Sequence, residues 1–162
     1  MPRQHLFRGV TEWTGARQGP TVDYATYSRE YTFAMAGKPT LTGSAAGPYR
    51  GDESLPNPEE LVLAAVSACH LLSYLALCAR EGISVAAYTD SCTATMTFQD
   101  GKMRIVEATL RPIVTVAEGT DREKAVTLHE RANAECFIAN SVAFPIHHEP
   151  IIRFPDDATP LD

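Results

Sequence analysis

The sequence predicts an α+β fold in which antiparallel sheets pack on two central helices, and three features carry that prediction. The first third groups Thr, Tyr, Val and Phe into short runs separated by Gly or Pro, as strands are. An uncharged, Ala-rich run over 61–79 follows a helix start at Asn57-Pro58. Beyond it come a period-two segment with a tight-turn signal and a second amphipathic stretch of helical spacing. With 162 residues, 44% of them apolar, the chain fits one domain over 1–162 whose core needs neither metal nor structural disulfide.

Strands are expected within 5–36, at 6–13, 21–27 and 29–35, followed by a loop of Gly, Pro, Ser and Thr over 37–56. A helix then spans 58–81. Asn57 caps it, Pro58 suits its first turn, Glu59 and Glu60 meet the positive end of its dipole, and Gly82 stops it. Val62, Ala65, Val66, Cys69, Leu72, Ser73 and Ala76 share one stripe at spacings of three and four, which places Cys69 on a shielded apolar face. The run approaches the ~20 residues of a membrane span. Ser67, His70, Ser73 and the absence of a flanking basic cluster make it read instead as the core helix of a soluble protein.

A hairpin block is expected over 85–117. There Cys92, Ala94, Met96 and Phe98 alternate with Thr93, Thr95 and Thr97 to give one buried face before a turn at Gln99-Asp100-Gly101. Thr120 and Glu123 make a capping box for a helix over 121–140, along which Ala125, Leu128, Ala132, Cys136 and Ala139 form the apolar stripe. A strand over 142–154 and a polar tail over 155–162 finish the chain. A first helix that is apolar nearly all round needs more cover than one small sheet provides, so a second copy of the chain, a homodimer, is expected to supply the rest.

The net charge of -6, with no Lys or Arg cluster, argues against a nucleic-acid partner. Residues 1–10 include Arg3 and Arg8 but no apolar run of secretory length, so a cytoplasmic location with no membrane association is expected. Four cysteines stand at 69, 78, 92 and 136 without a Cys-x-x-Cys spacing, which disfavours a zinc ribbon and a thioredoxin-type motif. In a reducing compartment a disulfide among them would be transient and catalytic rather than structural. His70 beside Cys69 does not make a nucleophilic dyad, because neighbours on a helix point ~100° apart. His147-His148-Glu149 could ligate a metal, but successive strand residues face opposite sides, and a solvated edge is the simpler reading. Cys78 and Cys92 read as small apolar packing groups, and His129 as a core or surface histidine two turns before Cys136.

Three segments carry a resemblance. Asn57-Pro58-Glu59-Glu60-Leu61 with Ala64-Ala65-Val66-Ser67-Ala68-Cys69 is similar to the first active-site motif of the OsmC/Ohr family of hydroperoxide reductases. Ala132-Asn133-Ala134-Glu135-Cys136-Phe137-Ile138-Ala139-Asn140-Ser141 resembles the family's second cysteine motif, and Trp13-Thr14-Gly15-Ala16-Arg17-Gln18-Gly19 its arginine segment. The resemblance implies the OsmC-like α+β fold, an intertwined homodimer, Cys69 as peroxidatic and Cys136 as resolving cysteine, and Arg17 with Glu59 as the supporting ion pair, Arg29 being the reserve for Arg17. It implies an organic hydroperoxide as substrate, a dithiol reductant such as a lipoylated protein, and no metal, flavin or haem cofactor. If the first helix is continuous, Glu59 lies ~15 Å along its axis from Cys69, so the site needs either a break in the first turns or a contribution from the other subunit. His70, Asn133 and Phe137 depart from the better-known pattern, which has an aromatic residue, a histidine and a proline there. The alternative function on the same scaffold is a non-enzymatic dimeric small-molecule-binding or thiol-sensor protein.

Overall fold

Burial of an alternating strand between helices decides where the core lies. The computed structural model describes residues 4–157; Arg3 and the 158–162 part of the expected polar tail, Asp162 included, lie outside them. The chain divides into two compact units, one up to Leu61 and one from Val62 onward, where the sequence reads as a single domain.

The first unit holds a three-stranded antiparallel sheet of β1 (Val10–Glu12), β2 (Tyr31–Ala34) and β3 (Leu41–Gly43) in that order. The segment 21–27, expected as a strand, is a series of turns instead. Its Asp23 carboxylate accepts from the Ala25 N–H at 2.7 Å, a side-chain turn that competes with strand pairing. Conversely, β3 and a short 3-10 turn at Gly47–Tyr49 lie within the expected loop.

The helix α1 (Pro58–Arg80) begins in that unit and runs without a break. Its start is a reciprocal cap: Asn57 Oδ1 accepts from the Glu60 N–H at 2.9 Å, and Glu60 Oε2 accepts from the Asn57 N–H at 3.0 Å. It stops where Gly82 takes φ +71°, a left-handed conformation that costs glycine nothing, and the Ile83 N–H closes on the Cys78 carbonyl at 2.8 Å.

In the second unit the expected hairpin block is four strands: β4 (Val85–Asp90), β5 (Thr93–Gln99), β6 (Lys102–Leu110) and β7 (Pro112–Val116). The expected C-terminal strand is two short ones, β8 (Ile146–His148) and β9 (Ile151–Arg153). They form two sheets, β4-β7-β9 and β5-β6-β8, and both last strands join in parallel, so the sheets are mixed rather than purely antiparallel. Arg111 divides β6 from β7; its N–H donates to Asp90 Oδ1 at 2.7 Å, and Pro112 has no N–H to continue the ladder.

The second helix, α2 (Arg122–Glu135), is capped by Asp121, which accepts from the Lys124 N–H at 3.0 Å. The expected Thr120 cap is not formed because that hydroxyl donates to the Ala117 carbonyl. Pro112, Val114 and Val116 of β7 point inward, and Val114 and Val116 pack with Tyr74, Leu77 and Cys78 of α1, with Ala125, Leu128 and Ala132 of α2, and with Ile152.

Candidate functional site: two thiols on two helices

The buried stripe of α1 decides where Cys69 points. Val66, His70, Tyr74, Leu77 and Cys78 recur at helical spacing and are buried. This is not the stripe expected from the sequence: Val62, Ala65, Leu72 and Ala76 are exposed, and Leu72 keeps 67% of its surface. The run is apolar on both sides, so its composition does not say which side meets the sheet. Cys69 is therefore half-buried rather than shielded and lines a cavity of about 720 Å³. Leu72, Ser73, Ala76 and Arg80 of α1 share that wall, and Ala134, Glu135, Phe137 and Asn140 form the opposite one.

Cys136 arrives at the same place because α2 ends early. The helix was expected to reach 140, but Cys136 turns to an extended conformation at φ -72°, ψ 119°. The Asn140 amide donates to the carbonyls of Ala134 at 2.9 Å and Cys136 at 3.0 Å, satisfying groups that a continuing helix would have used. The turn buries Cys136 Sγ beside the Cys69 thiol, where it also accepts from the Ala139 N–H at 3.4 Å. Burial pushes the Cys136 pKa up to about 11, and the Cys69 thiol adds to the rise; the N–H groups of Ala139 and Ile138 oppose it. Phe137, in the family's proline position, is 82% exposed at the rim. Both cysteines are free thiols.

In the first unit, Arg17 lies exposed on a 3-10 turn, Thr14–Gln18. Trp13 Nε1 fastens the turn by donating to the Ser28 carbonyl at 2.7 Å, and Gly15 passes so close that a Cβ there would stand 2.5 Å from the same oxygen. Glu59 is half-buried in the first turn of α1. The expected Arg17–Glu59 ion pair is not formed within the chain among the described residues, because the turn holds Arg17 out toward solvent. Arg29 is engaged elsewhere: its guanidinium donates to the Tyr27 and Tyr24 carbonyls and lies 3.7 Å from the Tyr27 ring centroid. Of the two arginines, Arg17 is the one with donors to offer.

Sequence reasoning missed a buried histidine pair. His70 Nε2 and His129 Nδ1 share a hydrogen bond of 2.9 Å, and each residue is 1% exposed. Tyr74 stacks on His129 at 3.8 Å between centroids and donates its hydroxyl to the Ala125 carbonyl, while His148 stacks on His70 at 4.5 Å. Desolvation holds both rings neutral, His70 down to about 4 and His129 to about 3, with neighbouring histidines lowering them further. The two residues are 59 positions apart, so no local pattern announces the pair. Their places on apolar helix faces were the only signal.

The remaining candidates have other roles. His147 is exposed, His148 packs on His70, and Glu149 pairs with Arg111 at 2.7 Å. Among the described residues no three His, Cys, Asp or Glu side chains are placed to hold a metal. Cys78 lies in the core, where burial raises its thiol pKa. Cys92 precedes β5 and is half-buried; the alternation expected after it gives no buried face, since Ala94 and Phe98 are exposed.

A mixed-sheet α+β unit with one thiol at the wall of a largely apolar cavity and a second buried beside it defines a two-cysteine protein. The model of the OsmC-like protein family matches residues 51–150, and the chain belongs to that family. An OsmC-like protein of unknown function from Vibrio cholerae is similar over 91% of this chain and 100% of its own, with 28% identity and a TM-score of 0.83. An organic hydroperoxide resistance protein from Elizabethkingia anophelis shares the fold at 18% identity and TM-score 0.68, covering 95% of this chain and 99% of its own. One from Bacillus subtilis does so at 16% and 0.59, covering 92% and 98%. No curated protein matches the sequence.

Proposed function

We propose that the protein is a cysteine-based peroxidase that reduces organic hydroperoxides to alcohols in the cytoplasm. The observation that carries this reading is the Cys69 thiol at the wall of an apolar cavity with the buried Cys136 thiol beside it. The names of the hydroperoxide resistance proteins that share the fold support it. Of the two sulfurs, Cys136 is buried and Cys69 is half-buried at the cavity wall, within reach of a hydroperoxide, so Cys69 is assigned the attack.

The Cys69 thiolate displaces the alkoxide of ROOH by attacking the distal oxygen; the O–O bond breaks, the alkoxide takes a proton to leave as ROH, and sulfur becomes a sulfenic acid. The Cys136 sulfur then displaces that hydroxyl, losing its own proton, so that one water leaves and a Cys69–Cys136 disulfide remains. An external dithiol, by our assignment a lipoylated protein, returns both thiols by exchange and is itself oxidised to a disulfide.

A cation near Cys69 would stabilise its thiolate and orient the peroxide, and Arg17, fixed by Glu59, is assigned that role. Because α1 has no break in its first turns and Arg17 does not pair with Glu59 within one chain, the assignment has that pair form only between two subunits, whose assembly would also cover Leu72 and Phe137. Reduction of cumene hydroperoxide, followed with dihydrolipoamide as electron donor, tests the reading. Turnover that vanishes in Cys69→Ser supports it, and wild-type protein that leaves the hydroperoxide unconsumed refutes it.

A further inference from the structure

The His70–His129 pair is a polar link where an apolar one would pack. One ring nitrogen of each residue, His70 Nδ1 and His129 Nε2, is buried with no partner among the described residues, a cost that Leu or Phe would not incur. What the pair supplies is direction. Apolar contact tolerates sliding and rotation, whereas a 2.9 Å hydrogen bond between ring atoms fixes one helix against the other. His70 is the residue after Cys69 on α1, and His129 lies two turns before Cys136 on α2. Stacking by Tyr74 and His148 restrains both rings from turning.

Rotation of α1 is the motion that matters for sulfur chemistry. A turn of ~20° carries an atom ~5 Å from the helix axis through about 2 Å. That is as long as the ~2 Å sulfur–sulfur bond to be formed, whose torsion is narrowly constrained as well.

We propose that His70 and His129 are positioning residues: their hydrogen bond sets the rotation of α1 against α2 and thereby the ease with which Cys69 and Cys136 join. This rests on the reading of those cysteines as a redox pair, and it concerns the joining step alone. Glutathione tests that step without hydroperoxide: the two protein thiols give two electrons and two protons to one oxidised glutathione, which becomes two reduced molecules.

The full-length protein is equilibrated in glutathione redox buffers, and the Cys69–Cys136 disulfide is quantified by peptide mapping, with reduced-state stability measured in parallel. His129→Leu and His70→Phe are expected to lower the disulfide equilibrium constant roughly tenfold. His129→Asn and His70→Gln, which keep a hydrogen-bonding atom near Nδ1 and Nε2 respectively, are expected to recover it to within about threefold. Tyr74→Phe, which removes a second buried polar link between the helices, is expected to lower stability while leaving the constant within about twofold.

An unchanged constant in both His129→Leu and His70→Phe would overturn the proposal, as would an equal fall in Tyr74→Phe or a wild type that forms no such disulfide. If the pattern holds while hydroperoxide goes unconsumed, the brace stands and the peroxidase reading falls. If hydroperoxide turns over while the constant is indifferent to the histidines, the reverse is true.

Discussion

Cys69 and Cys78 lie nine residues apart on one helix and share almost no chemistry. Cys78 is sealed among Tyr74, Leu77 and Val114, where desolvation raises its pKa and leaves it a packing group. Cys69 is half-buried at a cavity wall with a second thiol beside it. Whether a cysteine on an apolar helix reacts is set by which stripe the fold turns toward the sheet. The stripe through Val66, His70, Tyr74 and Leu77 is spent on packing, and the adjoining one is left for function.

The largest effect that follows concerns the two thiols directly. Cys69→Ser is expected to reduce hydroperoxide turnover by at least about a hundredfold, whereas Cys78→Ala should keep most activity and lose roughly 1 kcal/mol of stability. Steady-state assays and denaturant unfolding of both variants measure this; a dead Cys78→Ala that unfolds normally would erase the distinction. Iodoacetamide sharpens it further. In native protein Cys69 should be alkylated well over about tenfold faster than Cys78, the two rates converging only in denaturant.

A third comparison sets two arginines against each other. Arg17→Ala should cost about tenfold or more in turnover with stability unchanged, while Arg29→Ala, which strips two carbonyls and two tyrosine rings of their partner, should lower stability by about 1 kcal/mol. The reverse pattern would reassign the active-site cation to Arg29.

The smallest expected effect is on pH dependence and belongs to the packing stripe. His70 and His129 have pKa values depressed to about 4 and 3, so between those values and 6.5 the unfolded chain binds more protons than the folded one. Their contribution is present in full above pH 6.5 and is lost as pH falls toward 4 and below. Unfolding midpoints measured from pH 7 to pH 4 should therefore drop less steeply in a His70→Phe, His129→Leu double variant than in wild type.

Much of this was legible in the sequence where physics is local. Asn57, Pro58 and Gly82 mark the ends of α1 because caps and left-handed stops act within one turn, and Asp100-Gly101 marks the β5–β6 hairpin for the same reason. The motifs around Cys69 and Cys136 identified the family. What depends on partners distant in sequence was not legible. A helix apolar on two sides carries no sign of which side is buried, and in α1 it is the stripe through Val66, His70 and Tyr74 rather than the one through Val62, Cys69 and Leu72. The early end of α2 depends on Asn140 folding back onto Ala134 and Cys136, and the parallel pairing of β8 and β9 on strands more than thirty residues earlier in the chain. The His70–His129 bond spans two helices, and only packing creates it.

The most direct test of the central claim is peptide-mapping mass spectrometry of the reduced protein after brief treatment with one equivalent of cumene hydroperoxide. The account predicts a single Cys69–Cys136 disulfide in the wild type and, in Cys136→Ser, a Cys69 carried on to sulfinic or sulfonic acid, with Cys78 unmodified in both. Cys69 and Cys136 remaining reduced with the hydroperoxide intact, or oxidation falling first on Cys92 or Cys78, would contradict it.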